Sequence, residues 1–158
     1  MHIELRKLAI NKGLSEETTA YSAEIWIDGI KAFAASNHGH GGCDLYRQLG
    51  SVTEQQVNTW LKANRTPRVF HGMTLEPDLE NEVARLMDAA EARKTLLGKI
   101  RRSIVTIEDD KVFSYPLKGR DRAALTAAIM KRTPTATIVT TDEATVARAL
   151  ALMPDADD

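Results

Sequence analysis

Two histidines and the chain's one cysteine stand in a glycine run, and these residue types can do chemistry. The stretch reads Ser36-Asn37-His38-Gly39-His40-Gly41-Gly42-Cys43-Asp44. Four readings fit it. Clustered glycines allow positive φ and hence a tight, irregular connection. The same backbone can turn several N–H groups inward and hold an anion, although no Lys-Ser/Thr pair follows, as a P-loop requires. His38, His40 and Cys43 are zinc ligand types, but structural zinc wants four ligands, and nothing in the sequence brings His71 to them. Cys43 as a nucleophile, with His38 or His40 as its base, also needs a group to orient the base. The tight connection is the expected reading. Asn37, His38, His40, Gly41, Gly42 and Cys43 remain the candidates for a ligand loop.

A second set of residues can do electrostatic work. Arg93, Lys94, Lys99, Arg101 and Arg102 fall at the end of a long helical pattern, while Asp78, Glu80 and Glu82 fall at its start. The helix macrodipole favours that order, by about 0.3–1 kcal/mol for each well-placed charge. Lys118, Arg120 and Arg122 follow a hairpin and are placed to gather beside the basic end. A grouped basic face suits an acidic protein surface or a phosphate backbone. Arg93, Lys94, Lys99, Arg101 and Arg102 are therefore the partner-binding candidates. Glu108-Asp109-Asp110 invites a divalent-cation reading, but EF-hand spacing is absent and hairpin tips are wet. No Ser-x-x-Lys, Gly-x-Ser-x-Gly, His-Glu-x-x-His or Walker lysine occurs, and no cofactor is expected.

The elements that position these groups read as α+β. Ile3, Leu5, Leu8 and Ile10 alternate with a slip near Lys7, as a bulge requires. Residues 21–27 form a second strand, Asp28-Gly29 a hairpin turn, and 30–36 the returning strand of a three-stranded antiparallel meander. Thr53 and Gln56 form a capping box, with Val52 and Val57 as staple, for a helix over 53–63. Its apolar face is Val57, Trp60 and Leu61. Residues 65–76 read as a connection between residues 1–64 and 77–158.

Glu76 or Thr74 caps the long helix, and Pro77 takes its first position. Leu79, Val83, Leu86, Ala90, Leu97 and Ile100, with Arg93 in the missing place, form a heptad stripe. Over 77–102 it spans about 39 Å at ~1.5 Å per residue. The stripe is expected either to cross the chain's own sheet or to meet another molecule, a second copy included. A ββαβα region follows. Strands 103–107 and 112–117 flank the acidic turn. Asp121 caps helix 122–132, whose apolar face is Leu125, Ala128 and Ile129. Strand 135–140 leads to a capping box of Thr140 and Glu143, and the last helix presents Val146, Leu150 and Met153. The acidic tail 154–158 is expected to fray.

Composition narrows the function class. The 158 residues are 43% hydrophobic and 27% charged, with net charge −1. That is the profile of a globular chain rather than a histone-like protein or a DNA mimic. No apolar run approaches the ~20 residues of a membrane span. The start, Met1-His2-Ile3-Glu4-Leu5-Arg6, has charge where a signal peptide is apolar. One cysteine excludes an internal disulfide and a zinc ribbon. A cytoplasmic protein is expected.

Leu14-Ser15-Glu16-Glu17-Thr18-Thr19, Ile27-Asp28-Gly29-Ile30-Lys31-Ala32 and Ala35-Ser36-Asn37-His38-Gly39-His40-Gly41-Gly42 resemble small uncharacterised accessory proteins carried by bacteriophages and other mobile elements. The resemblance covers the first third of the chain. It implies a host-facing accessory protein in the host cytoplasm and brings no site residues with it. The expected function is thus non-enzymatic: binding a host protein complex, such as a CRISPR effector, as an inhibitor. The alternatives are a nucleic-acid-binding module using the basic helix end, and a small enzyme or ligand-binding protein using the 37–43 loop.

Overall fold

The computed structural model describes residues 1–70 and 72–153; His71 and the acidic tail lie outside the described residues. The chain is α+β and divides into two compact units, Met1–Asp88 and Ala89–Asp158. Residues 65–76 therefore lie within the first unit.

Unit 1 is built on a four-stranded antiparallel sheet in the order β1-β2-β3-β4. Its strands are β1 (Ile3–Ile10), β2 (Tyr21–Ile27), β3 (Ile30–Asn37) and β4 (Leu45–Gln48). The slip near Lys7 is a bulge: Lys7 has φ 51°, and the β1–β2 register shifts between Arg6 and Ala9. Asp28 (φ 50°) and Gly29 (φ 80°) make the hairpin turn, because a right-handed strand twist selects positive φ at both central positions. The expected meander thus gains a fourth strand. The sequence reading missed β4 because it is a four-residue edge strand with only Tyr46 as a strong strand former.

Helix α1 (Glu54–Asn64) starts at Thr53 with the predicted capping box in place. Val57 and Leu61 are fully buried against Ile25, Ile27 and Phe33 of the sheet's core cluster, while Trp60 is only half-buried at its margin. Each such fully buried side chain contributes about 1.5–3 kcal/mol. Two three-residue strands, β5 (Arg68–Phe70) and β6 (Met73–Leu75), form a small hairpin in the expected connection. Val69 and Met73 are exposed on it.

Helix α2 (Leu79–Arg102) is 24 residues long. Its cap is Asp78, not Glu76 or Thr74: Asp78 Oδ1 accepts from Asn81 N at 2.8 Å, and Asn58 Oδ1 accepts from Leu79 N at 2.7 Å. Pro77 precedes the helix and is buried. The heptad stripe does not bury as a seam. Leu79, Val83 and Met87 join the core of unit 1, Leu96 and Ile100 join that of unit 2, and Ala90 on the stripe is exposed. Steps of four mark an ordinary helix meeting two separate cores, whereas a supercoil needs a 3.5-residue repeat.

In unit 2, α2 passes directly into β7 (Ser103–Glu108), which pairs antiparallel with β8 (Lys111–Pro116) and β9 (Thr137–Val139). The order is β8-β7-β9. Central β7 is buried along nearly its whole length. Val105 and Ile107 face the cluster of Leu96, Ile100, Val146 and Ala149. Helix α3 (Arg122–Arg132) contacts β7 and is capped by Asp121, as expected. Of its predicted face, Ile129 is buried, Leu125 half-buried and Ala128 exposed. Helix α4 (Glu143–Leu152) is capped by Asp142, whose carboxylate accepts from the Ala144 and Thr145 amides. This replaces the predicted Thr140–Glu143 box; Thr140 Oγ1 instead accepts from Asp142 N. Among the described residues no helix is long and apolar enough to cross a membrane.

Candidate functional site

The 37–44 loop leaves β3 and returns as β4, and Asn37 holds it together. Asn37 is 9% exposed, and its amide is engaged from both ends. Oδ1 accepts from Thr18 Oγ1 at 2.8 Å and from Gly39 N at 2.9 Å. Nδ2 donates to Gly42 O at 3.2 Å and to Asp44 Oδ1 at 3.0 Å. The Gly39 carbonyl accepts from the Glu16, Glu17 and Thr18 amides and so ties down the 11–20 loop. Gly39 has φ +88°, and a Cβ there would lie 2.1 Å from Leu14 O. No other residue type fits that approach.

The groups with chemical potential stay outside this network. His38, His40 and Cys43 are exposed. His40 Nδ1 meets Glu16 Oε2 at 3.2 Å, and no hydrogen bond links Cys43 to either histidine. Among the described residues, His, Cys, Asp and Glu form no group of three able to hold a metal ion.

Behind the loop lies a cluster that the sequence reading missed. Asp44 Oδ2 accepts from Tyr21 Oη at 2.5 Å and from Tyr46 Oη at 2.8 Å. Burial, reinforced by the Asp44 carboxylate, raises both phenols well above the ordinary tyrosine value. Burial also raises Glu80, with Asp44 and Asp78 adding to it. The partners are 23 positions apart, and only strand register brings them together, so no local spacing announces them.

The basic residues of unit 2 assemble by topology. Because β8 returns antiparallel, Pro116 lies opposite Ser103, and Leu117 N donates to Arg102 O at 3.0 Å. The turn at Lys118-Gly119, both at positive φ, then sits beside the last turn of α2. Arg122 closes the corner: its guanidinium donates to Ile100 O at 2.9 Å, Arg101 O at 3.1 Å and Ser103 O at 3.3 Å. A cation on the carbonyl end of a helix completes hydrogen bonds the helix cannot make itself. Arg120 donates to Pro116 O and Leu117 O, and Arg102 Nε to Gly98 O.

Lys99, Arg101 and Lys118 are exposed, and no hydrogen bond or ion pair engages their side chains among the described residues. Of the five predicted partner-binding residues, Lys99, Arg101 and Arg102 stand on the last turn of α2, which the Leu117 and Arg122 bonds tie to the Lys118–Arg122 segment. The other two stand further up α2 and are paired: Arg93 makes a bidentate pair with Glu143 at 2.9 and 2.8 Å, and Lys94 meets Glu91 at 3.5 Å. The acidic hairpin tip lies at the opposite end of β7 and β8, where Asp110 meets Arg148 at 3.7 Å.

An open polar groove on α1, lined by Glu54, Gln55, Asn58, Thr59 and Lys62, involves neither set. No protein-family model, curated protein or solved structure matches the chain.

Proposed function

We propose that the chain is a non-enzymatic accessory protein that binds a host protein complex by laying the basic corner of unit 2 on an anionic face of that complex. The observation that carries the reading is the corner itself. Backbone and guanidinium bonds join the end of α2, with Lys99, Arg101 and Arg102, to the Lys118–Arg122 segment, and among the described residues no hydrogen bond or ion pair engages the exposed Lys99, Arg101 and Lys118 side chains. The loop at 37–44 supports the same reading from the other side, because its buried amide serves the turn rather than a ligand. The resemblance to phage and mobile-element accessory proteins makes a host defence complex, such as a CRISPR effector, the proposed target and inhibition the proposed outcome.

The test is quantitative capture from a host extract, read by mass spectrometry. It compares the wild-type chain, Lys99→Glu/Arg101→Glu, and a control double reversal, Arg47→Glu/Lys62→Glu, in unit 1. A stoichiometric complex held by wild type and control and lost by the corner variant is expected. Equal capture by all three would overturn the proposal.

A further inference from the structure

We infer that the free edge of β8 seats a second copy of this chain, the two β8 strands pairing antiparallel about a two-fold axis. β8 is an outer strand of its sheet: among the described residues only β7 pairs with it. An unpaired edge leaves main-chain donors and acceptors open to another strand. The other edges are blunted or short. β1 carries its bulge at Lys7, and β4, β5, β6 and β9 have only three or four residues. β8 runs for six residues with no register shift. Phe113 on it is the one large hydrophobic side chain left exposed among the described residues of unit 2.

The register follows from which groups point outward. Leu117 N donates to Arg102 O at 3.0 Å across the β7–β8 hairpin. Direction alternates along an antiparallel strand. Tyr115, Phe113 and Lys111 therefore also face β7, while Val112, Ser114 and Pro116 turn their main-chain groups to the free side. Pro116 has no N–H to give. The two-fold register that uses the other two sets Val112 of one copy opposite Ser114 of the second. Each such pair exchanges both of its main-chain hydrogen bonds, and Phe113 meets Phe113 of the second copy at the closer, non-hydrogen-bonded position.

Charge selects a second copy as the occupant. In this register Asp110 falls opposite Pro116 of the other copy. The Arg120 guanidinium already stands at that place: Nη2 donates to Pro116 O at 2.8 Å and Nε to Leu117 O at 3.2 Å, leaving Nη1 for an incoming carboxylate. The Asp110 side chain is 81% exposed, and in its own copy it meets Arg148 at 3.7 Å. The acidic tip and basic root of one hairpin are thus complementary across a two-fold axis, and the contact closes on itself. A parallel approach would set acid against acid. Lys99 and Arg101, on α2, take no part, so this pairing and the binding of a host complex stand or fall separately.

The experiment is cysteine cross-linking of the full chain in a Cys43→Ser background, together with sedimentation velocity from about 1 μM to 1 mM chain. Phe113→Cys should form an intermolecular disulfide on mild oxidation, because the paired Cα atoms would lie ~4.5 Å apart. Lys111→Cys, whose two copies would stand roughly 14 Å apart, should not. Without cross-linking, the chain should sediment as a concentration-dependent dimer. Ser114→Pro removes an outward N–H and leaves the β7 ladder intact, and should weaken dimerisation by about tenfold or more. Asp110→Arg and Arg120→Asp should each weaken it, and the two together should restore it.

A monomer at every concentration would overturn the inference. So would equal cross-linking at 113 and 111, a dimer indifferent to Ser114→Pro, or a charge swap that restores nothing. Circular dichroism shows whether each variant is folded. Where Ser114→Pro or a charge variant is not, the contrast between Phe113→Cys and Lys111→Cys decides.

Discussion

Asn37 and His38 are neighbours in the sequence with opposite duties. Asn37 makes four hydrogen bonds from a buried position, so Asn37→Ala leaves several polar groups without partners. Each unsatisfied buried group costs about 1–3 kcal/mol, and a total loss near 2–4 kcal/mol is expected in urea unfolding. Gly39→Ala should cost a similar amount, because the added carbon meets the Leu14 carbonyl in a backbone region that L-residues seldom enter. His38→Ala and His40→Ala, on exposed side chains, should stay within about 0.5 kcal/mol of wild type. A destabilised histidine variant beside an unperturbed Asn37→Ala would reverse this assignment.

A carboxylate on the outer side of the same sheet is expected to titrate abnormally. Glu24 accepts from Lys31, Lys7 and the Trp26 indole, in that order of effect, and is pulled down to about 2. Its folded pKa lies below the unfolded one. Its contribution to stability is therefore complete above the ordinary carboxylate range and is lost as pH falls toward 2. Carbon-detected NMR titration should find Glu24 ionised below pH 3, and Lys31→Ala should move its midpoint upward.

At the scale of elements, α2 is held at its two ends by different means. Its start is fixed by Asp78 and Asn58. Its end is fixed by Arg122, some twenty residues further along the chain. Arg122→Ala removes three donors from carbonyls at the helix terminus and should destabilise the chain by about 1–3 kcal/mol. Arg101→Ala, on the exposed face, should cost under about 0.5 kcal/mol. A chemical-denaturation series that ranks them the other way would contradict the capping role.

How far these elements were legible in the sequence depends on how local their causes are. The Asp28-Gly29 turn, the Thr53–Gln56 box and the Asp121 cap each need only a few adjacent residues, and all three stand as read. The short additions, β4 and the β5–β6 hairpin, have strands of only three or four residues, too short to show a period-two pattern. The heptad stripe failed for a different reason. Leu86 and Leu97 fit the repeat, but Met87 and Leu96 take the buried places, because each end of α2 turns its apolar residues toward a different core. In the candidate sites, the basic cluster was legible through charge and hairpin connectivity. The Tyr21–Asp44–Tyr46 cluster was not, since it depends on register across three strands.

For the whole molecule, charge is unevenly divided. Residues 1–88 hold nine Lys and Arg against twelve Asp and Glu, and residues 89–158 hold twelve against ten. Within unit 2 the hairpin of β7 and β8 further separates acid at its tip from base at its root. A near-neutral chain can thus present a cationic face of the kind that captures anions from solution.

The same molecule should resist alkali in a diagnostic way. All three tyrosines have raised phenols: burial leads the causes for each, with Asp44 adding to it for Tyr21 and Tyr46, and Glu108 for Tyr115. A folded pKa above the unfolded one gives stability that is complete below about pH 10 and lost above it. Ultraviolet absorbance should show the Tyr21 and Tyr46 phenols un-ionised until the chain unfolds. Ionisation of Tyr21 or Tyr46 near pH 10 in the folded protein would contradict the packing around these two residues.

The most direct measurement of where this protein works is amide chemical-shift mapping of the full chain as poly-L-glutamate, standing in for an anionic protein face, is added at low salt. Shifts confined to residues 99–102 and 117–122, fading as salt is raised, are the predicted result. Shifts centred on 37–44, or scattered over both units alike, would contradict the account.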